Sequence, residues 1–402
     1  MEYKELISLR KSICNNYLET YVKKGYIINP SLPLDNKDDI TLDYTTCTIC
    51  TAKKNIIDGK IGQDYVMVQP ALRNTHINNL GSINTINQYF SYFTMIGGFH
   101  YYSSENYEKD LSEVVKTEFS FFKRYVDDVT LTIPIQYSNC LNLNDECIDY
   151  LKDNKCKLVY STNDEENLRW KYGMKGIVGY GTRWELSNGG DLVNFGNTIN
   201  IYKNGKPVGI DFGGGLESLI YSYKKLKSCI YANETLTDEC RDFCEESSIN
   251  EKIIDCIVSS MCIIASKDSI IARDRVILDK YMRILHSLSF LQDIPKERIL
   301  GFVSDIVSQE IEIFKNEHLI EKFKNYYDVT EDCFSVIVGS KNIDEVIKLV
   351  DLCYNEYNPD WAKNKLILLS GLSKYFTNLY EANLLAIKKE RKLILERREK
   401  ND

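Results

Sequence analysis

The sequence has no run of eighteen or more apolar residues and no stretch that resembles a cleavable export signal. The first absence argues against a transmembrane helix, because about 20 apolar residues are needed to cross the hydrocarbon core. The second absence argues against secretion. We therefore expect a soluble cytoplasmic protein with no membrane partner. The 402 residues, 44% of them hydrophobic, are enough for a sizeable core and favour two domains over one.

Histidine is scarce, which limits the metal chemistry open to the chain. The sequence has four of them: His76, His100, His286 and His318. The thirteen cysteines are scattered and odd in number, which favours reduced cytosolic thiols over a disulfide scaffold. Two cysteine pairs, Cys47-x-x-Cys50 and Cys240-x3-Cys244, lack a histidine at a ligand spacing. We therefore expect no structural zinc site.

The chain also lacks an excess of basic residues, and its formal net charge is -8. Proteins that grip nucleic acid mainly through phosphate contacts are usually basic. We expect no DNA partner, whereas a specific RNA contact through a local basic patch stays open. Residues 384–402 form a charged segment of mixed sign. This segment indicates a solvated helix or, alternatively, an RNA or partner contact.

Hydrophobic periodicity divides the chain into two parts. Apolar residues at helical spacing in 2–24 are followed by two apolar strands, 65–70 and 89–102, which flank a polar loop. Glycine is dense from 176 to 215, nearly vanishes after about 235, and helical patterns dominate from there. We expect an α+β domain over residues 1–235, with a functional loop between its hairpin strands, and an all-α domain over 236–402.

The first part contains the residue types that a nucleotide and a small amino acid require. Phosphoryl chemistry needs cations against the phosphates and carboxylates for a metal ion, and an α-ammonium group needs a buried carboxylate. Arg73 follows a strand, Phe93 lies on the returning strand, and Glu185 lies in a glycine-rich segment. Asp211 closes a strand before three glycines, and Glu217 follows in the first turn of a helix. We expect a ligand pocket within residues 66–218.

The order of these segments resembles the catalytic domain of alanyl-tRNA synthetases, a class II synthetase family. The segments QPALR, QYFSYFTMIGGFHYY, RWKYGMKGIVGYGTRWEL, DLVNFGNTIN and GIDFGGGLES carry the resemblance, in that order. It covers about residues 5–225 and, more faintly, the helical part around Asp255 and Arg273 to Arg283. The resemblance implies an antiparallel sheet with flanking helices, followed by an all-α domain related to tRNA recognition.

The resemblance also implies an ATP site that uses Mg²⁺. Arg73 corresponds to the arginine that grips the α-phosphate and the substrate carboxylate, and Phe93 corresponds to the adenine platform. Glu185 would serve ATP or Mg²⁺, so Arg73 and Glu185 are the expected catalytic residues. Gly215 and Arg183 complete the expected ATP site.

The amino-acid pocket implied by the resemblance uses five other residues. Asp211 would seat the ammonium group, with Asn194 near it. Trp170 would wall the side-chain pocket and Met95 would line it. Gly213 would leave room for a small side chain. The expected substrate is therefore alanine, or a similarly small amino acid such as glycine or serine.

Several positions depart from the family pattern. The family's third motif ends in an arginine that holds the γ-phosphate, and the corresponding residue is Ser218. Arg183 or Lys175 would be the replacement. The arginine-rich helix of the family carries Asp274 and Asp279 here, which weakens the case for ordinary tRNA binding. From the length and the four histidines we expect neither the family's editing domain nor its C-terminal region.

Two functions follow from this sequence. The first is a ligase that forms an aminoacyl-adenylate from a small amino acid and transfers it to tRNA, to a carrier protein or to a small molecule in a specialised pathway. The second is a catalytically weakened, synthetase-like protein that binds an amino acid, a nucleotide or tRNA in a regulatory role. A homodimer is compatible with both.

Overall fold

The computed structural model describes residues 2–35, 44–74, 77–80, 89–102, 106–162, 168–266, 270, 272–316 and 318–339. These residues form two compact units. The first comprises the chain up to Leu72 together with Phe93–Glu234, and the second comprises Arg73–Tyr92 together with the chain from Thr235 onward. Residues 340–402, which the sequence analysis assigns to the helical domain, lie outside the described part.

A nine-stranded sheet organises the first unit. Its strands are β1 (Ile27–Ile28), β2 (Tyr65–Leu72), β3 (Tyr92–Tyr101), β4 (Asp128–Pro134), β5 (Cys156–Ser161), β6 (Arg169–Trp170), β7 (Ile177–Ser187), β8 (Val193–Lys203) and β9 (Lys206–Gly215). The order is β1-β2-β3-β9-β8-β7-β4-β5, and β6 pairs with β7. The pairs from β3 through β9, β8 and β7 to β4 are antiparallel, whereas the edge pairs β1–β2 and β4–β5 are parallel.

Two long helices pack against one face of this sheet, which we call the back face. The helices of the first unit are α1 (Tyr3–Val22), α2 (Lys53–Asp58), α4 (Tyr107–Phe122), α5 (Asp145–Asp153) and α6 (Leu216–Lys224), and α3 (Ile77–Leu80) belongs to the second unit. Phe212 of β9 stacks on Tyr21 of α1 at 4.8 Å, and Trp184 of β7 meets Phe122 of α4 at 5.4 Å between ring centroids. The α+β prediction is confirmed, since one mixed sheet with packed helices is followed by a helical part.

Helix α1 is fixed to the sheet by one stripe of side chains. Its buried residues are Leu6, Arg10, Ile13, Tyr17 and Tyr21, a helical spacing that presents one face to the sheet. The Tyr17 hydroxyl donates a hydrogen bond of 2.8 Å to the buried carboxylate of Glu118 on α4, and Tyr21 donates to the same oxygen. Burial raises the pKa of Glu118 to about 7, although the two tyrosine hydrogen bonds oppose the rise.

Every element described after Thr235 is helical. The helices of the second unit are α7 (Asp238–Glu246), α8 (Ser248–Ala265), α9 (Ala272–Leu291), α10 (Lys296–Ser308) and α11 (Leu319–Gly339). Helix α8 is buried on all sides from Asn250 to Ile264, so it is the core of this unit. No described helix is long and apolar enough to span a membrane.

Residues 73–92, which the sequence analysis assigns to the first domain, pack with the helical unit. The reason is a buried anchor on α8. The amide of Ser91 donates to both carboxylate oxygens of Asp255, at 3.0 and 3.2 Å, and the hydroxyl of Ser259 donates to the same carboxylate at 3.1 Å. A buried carboxylate needs such donors, so the end of this segment is tied to α8.

His100, near the C-terminal end of β3, provides a test of the local packing. Its Nδ1 lies 2.6 Å from Asp64 and its Nε2 lies 3.6 Å from Asp110. Burial opposes the charged ring, but the hydrogen bond and charge of Asp64 and the charge of Asp110 outweigh it and raise the pKa of His100 above 6.5.

We expect His100→Gln to lower the free energy of unfolding by about 1–2 kcal/mol at pH 6. The raised pKa makes this contribution fully present below pH 6.5 and removes it as the pH rises through the folded value, so the loss shrinks at pH 9. Urea denaturation at both pH values measures it. His318→Gln, on a side chain that is 63% exposed, is the control. A loss of equal size at pH 6 and pH 9 would contradict the ion pair.

Candidate functional site

The strand register places most of the expected site residues on the face opposite the α1 and α4 helices, which we call the front face. Asp211 of β9 pairs with Phe99 of β3 and with Ile199 of β8, and Ile199 pairs with Gly181 of β7. Paired residues and alternate residues along a strand share a face. The front face therefore carries these expected site residues: Phe93, Met95, Arg183, Glu185, Asp211, Gly213 and Gly215.

Asp211 lies in the floor of the front face and is almost completely buried, with 5% of its surface exposed. Its Oδ1 accepts a hydrogen bond of 2.7 Å from the hydroxyl of Thr48. Burial raises the pKa of Asp211 to about 6, while Thr48, the charge of Lys53 and the hydroxyl of Tyr172 act in the opposite direction. A carboxylate with so few donors is undercompensated, and a ligand ammonium group would supply the missing charge.

Aromatic side chains lie over the glycines beside Asp211. A Cβ atom at Gly181 would lie 2.6 Å from the Trp170 ring and 2.9 Å from Ile199, so the indole occupies the space that the glycine leaves. A Cβ at Gly179 would lie 3.0 Å from the ring of Tyr172. The buried Tyr172 hydroxyl is adjacent to Asp211 and forms no hydrogen bond of good geometry with a described residue. The wall at this end is aromatic, with one polar atom.

The other end of the front face combines an apolar cluster with a pair of opposite charges. Phe93 and Met95 form a small apolar cluster with Ala71. A Cβ at Gly215 would lie 3.7 Å from the Phe93 ring, an ordinary contact, and Phe93 itself is 9% exposed. Arg183 and Glu185 follow on β7, and about a quarter of each side chain is exposed, with 3.5 Å between Arg183 Nε and Glu185 Oε1.

Glu185 fits a modest role in holding Mg²⁺. Its Oε2 accepts a hydrogen bond of 3.2 Å from Thr132, and its other oxygen faces Arg183. Magnesium commonly takes one or two carboxylates, with phosphates and water as its remaining ligands, so one partly exposed glutamate suffices when a nucleotide is bound. Within the described residues, no group of three or more His, Cys, Asp and Glu side chains is arranged for a metal ion.

The surroundings of Arg73 and Asn194 differ from those that the resemblance implies. Arg73 belongs to the second unit, where it is exposed just after β2 and its amide donates to the carbonyl of Ser91 at 2.9 Å. Asn194 pairs with Glu185 across a β-bulge. It lies five residues along β8 from Ile199, the partner of Asp211, or about 16 Å at the usual rise. The bulge places Asn194 beside Glu185, and Asn197 is the amide nearer to Asp211, since it pairs with Gly213.

The structure explains the glycine at position 213 by a different reason from the expected one. Its φ is +140°, and a Cβ atom there would lie 2.6 Å from the Cα of Gly97 on β3 and against the carbonyl of Ile96. The missing side chain therefore permits the close approach of β3 and β9 rather than opening the amino-acid pocket.

Gly213→Ala should lower the free energy of unfolding by about 3 kcal/mol or more, because it adds a backbone clash to an unfavourable φ. Thermal or urea unfolding measures this. Gly205→Ala is the matched control, since Gly205 also has a positive φ of +80° but no atom within 4 Å of its absent Cβ. We expect the control to lose only about 1–2 kcal/mol. Equal losses for the two variants would refute the close-approach explanation.

Ser218, at the position of the family's third-motif arginine, faces inward. Ser218 is buried, and its hydroxyl is hydrogen-bonded to the thiol of Cys229. The residue before Ser218, Glu217, forms an ion pair with Arg10 of α1, with 2.9 Å between Nη1 and Oε1. The Arg10 guanidinium also donates to Thr94 at 2.6 Å and to the carbonyl of Ala232. Because these contacts engage the guanidinium of Arg10 within the fold, Arg10 does not replace the third-motif arginine.

Three residues around Asp211 are not among those expected from the sequence: Thr48, Lys53 and Tyr172. Tyr172 carried a usable signal, because it follows Trp170 by two residues and alternate residues share a side in extended chain. Thr48 and Lys53 come from a 3₁₀ turn, Thr48–Thr51, and from α2, far from Asp211 in sequence. No local pattern in the sequence marks them.

The chain matches no protein-family model and no curated protein. Among solved structures, it is similar to apo histidyl-tRNA synthetase from S. aureus, with 14% sequence identity and a TM-score of 0.35. The likeness covers 54% of this chain and 70% of that one. We base the functional proposal on the front face alone.

Proposed function

We propose that the front face binds a small α-amino acid and ATP and that the protein joins them as an aminoacyl-adenylate. One observation carries the proposal. Asp211 is a buried, undercompensated carboxylate on the same sheet face as an apolar ring platform and a partly exposed arginine–glutamate pair. An ammonium group, an adenine ring and a polyphosphate require these three environments.

The amino-acid end favours a small substrate. The ammonium group would bind Asp211, and the substrate side chain would meet the indole of Trp170, which already fills the space above Gly181. The Tyr172 hydroxyl offers a further hydrogen bond beside Asp211. Alanine, glycine and serine are the candidates, because a longer side chain would have to displace the aromatic wall.

The phosphate end would support carboxylate attack on the α-phosphate of ATP. Arg183 would neutralise charge that develops on the phosphates, and Glu185 would hold Mg²⁺, which supplies further charge when bound. Phe93 would stack on adenine. The assignment of Arg73 to the α-phosphate stays a prediction from the resemblance.

ATP–pyrophosphate exchange with each of the twenty amino acids tests the proposal. We expect exchange that depends on one small amino acid and on Mg²⁺. Arg183→Met should lower it by about 100-fold, as the loss of a transition-state cation does, whereas Arg124→Met, on the surface near the C-terminal end of α4, should leave it unchanged. Exchange with none of the twenty would sink the adenylation proposal for standard amino acids.

A binding protein without turnover is the second candidate, and the burial of Ser218 beside Cys229 favours it. Equilibrium dialysis distinguishes the two. Saturable binding of an amino acid that Asp211→Asn removes, together with no pyrophosphate exchange, would identify the binding protein.

The acceptor of an adenylate is a separate proposal. On α9, Arg283 lies 3.6 Å from Asp279, so its charge is directed to an acid of its own helix. This pairing favours a carrier protein or a small molecule over the tRNA acceptor stem. A salt-dependent binding assay with tRNA tests the preference, and tight binding that depends on the acceptor-stem sequence would reverse it.

A further inference from the structure

Cys47 and Cys50 lie next to the proposed amino-acid seat. Their Sγ atoms are 3.6 Å apart, and Cys47 immediately precedes the 3₁₀ turn Thr48–Thr51. Cys47 is partly exposed, whereas Cys50 is buried. Thr48, which directly follows Cys47 in the sequence, donates the 2.7 Å hydrogen bond to Asp211. The two thiols therefore flank Thr48 along the chain, and Thr48 is the hydrogen-bond donor to Asp211 in the proposed amino-acid site.

The two thiols have different environments, which assigns them different roles. The hydrogen bond with Cys50 lowers the pKa of Cys47, helped by the charge of Lys53, although burial and Asp211 oppose this. Burial instead raises the pKa of the Cys229, Cys240 and Cys256 thiols. A thiolate is the attacking species in thiol–disulfide exchange, so Cys47 is the attacking thiol and Cys50 is placed to resolve the intermediate.

We propose that Cys47 and Cys50 form a reversible disulfide by exchange with a low-molecular-weight disulfide, and that this disulfide weakens amino-acid binding at Asp211. Only the second part rests on the proposed function. The Cys47 thiolate attacks one sulfur of the disulfide RSSR, and RS⁻ leaves. Cys50 loses its proton to solvent and attacks Cys47 Sγ, and a second RS⁻ leaves. The two cysteines lose two electrons and two protons, and RSSR becomes two RSH.

Bond formation must move the segment that holds Asp211. The Sγ atoms have to approach from 3.6 Å to about 2.05 Å. The backbone around Thr48 is anchored by two hydrogen bonds. The Thr48 carbonyl accepts one from the Tyr65 hydroxyl at 2.8 Å, and the Cys47 carbonyl accepts one from the side-chain amide of Gln69 at 3.0 Å. Closing the ring between Cys47 and Cys50 strains this arrangement, and the contact between Thr48 and Asp211 is the one that yields.

Glutathione redox buffers test the chemistry on the full chain. After alkylation, mass spectrometry of peptides should show reversible loss of both thiols at Cys47 and Cys50, while the buried pair Cys240 and Cys244 keeps its thiols as an internal control. Cys50→Ala should accumulate a glutathione adduct on Cys47. Unchanged thiols at every buffer ratio would overturn the proposal, as would an adduct that forms on Cys50 in Cys47→Ala but not on Cys47 in Cys50→Ala.

Two readouts test the coupling. Equilibrium dialysis should give amino-acid affinity about tenfold weaker for the oxidised protein, as expected when a charged acceptor loses a hydrogen bond, and no difference for Cys47→Ala/Cys50→Ala in the same buffers. Trp170 packs in the same cluster as Cys47, so its fluorescence should change on oxidation without ligand, and Trp170→Phe should remove the change. A disulfide that leaves affinity and Trp170 fluorescence unchanged would overturn the coupling. If neither redox form binds any amino acid but the disulfide forms and Trp170 responds, the proposed function fails and the switch stands.

Discussion

Asp211→Asn should weaken amino-acid binding by about 100-fold or more, and slow any pyrophosphate exchange with it, while making the free protein more stable. The amide keeps an oxygen that accepts the Thr48 hydroxyl but carries no charge for an ammonium group. Removing one partner of a buried charge pair lowers affinity by about 100-fold or more. The effect should fall on the KM for the amino acid, whereas the KM for ATP should change little.

The gain in stability follows from the raised pKa of Asp211. The ordinary value is 3.8 and the folded value is about 6, a difference that corresponds to about 3 kcal/mol. Because the folded pKa is the higher one, the stabilising contribution of the protonated group is complete below pH 3.8 and is lost as the pH rises through 6. The amide that replaces the carboxylate does not titrate, so the variant should exceed the natural protein by about 3 kcal/mol at pH 7.5 and by about half of that at pH 5.

Urea denaturation at the two pH values and equilibrium dialysis measure the two halves of this prediction. Asp191→Asn, on an exposed residue before β8, is the matched control and should alter neither. The opposite pattern, a less stable variant that still binds the amino acid, would show that Asp211 serves the fold through Thr48 and Lys53 rather than a ligand.

Arg10→Met should give the largest loss of stability, about 3–5 kcal/mol, because it leaves the buried Glu217 without its counter-charge. Burial raises the pKa of Glu217, and Arg10 opposes that rise most strongly. The amide of Thr94 also donates to both oxygens of Glu217, at 3.1 Å each. Since Thr94 lies between Phe93 and Met95, the variant should also disturb the proposed adenine platform and raise the KM for ATP.

Chemical denaturation of three variants checks the origin of this loss. Lys11→Met, on the exposed neighbour of Arg10, should change stability by no more than about 0.5 kcal/mol. The double variant Arg10→Met/Glu217→Gln should recover a large part of the loss, because it removes the stranded charge. A double variant as unstable as Arg10→Met would mean that the lost contacts to Thr94 and Ala232, not the charge of Glu217, dominate.

Much of the local structure could be predicted from the sequence. The apolar runs predicted strands at 65–70 and 89–102, and the first run overlaps β2 while the second contains β3. The change to helical spacing after about 235 agrees with the helices α7 to α11. Hydrophobic periodicity and glycine content are local properties of the chain, so they can be read from a single sequence.

The spatial assignment of the site could be predicted only in part. The resemblance indicated that Phe93, Glu185 and Asp211 belong together, and their shared face depends on a register that the period-two rule fixes once the pairing is known. Pairing itself is a long-range property. A single bulge between Trp184 and Glu185 places Asn194 beside Glu185, and no local rule predicts it.

The sequence by itself determined the fold class, the helical second part and the residue types that suit an amino acid and a nucleotide. Only the tertiary structure decided that Thr48, Lys53 and Tyr172 surround Asp211, that Gly213 serves the approach of two strands, and that Arg10 is held by Glu217. These contacts join residues that are distant along the chain. Their geometry depends on strand order and on which side chains exclude water, and both are properties of the folded protein.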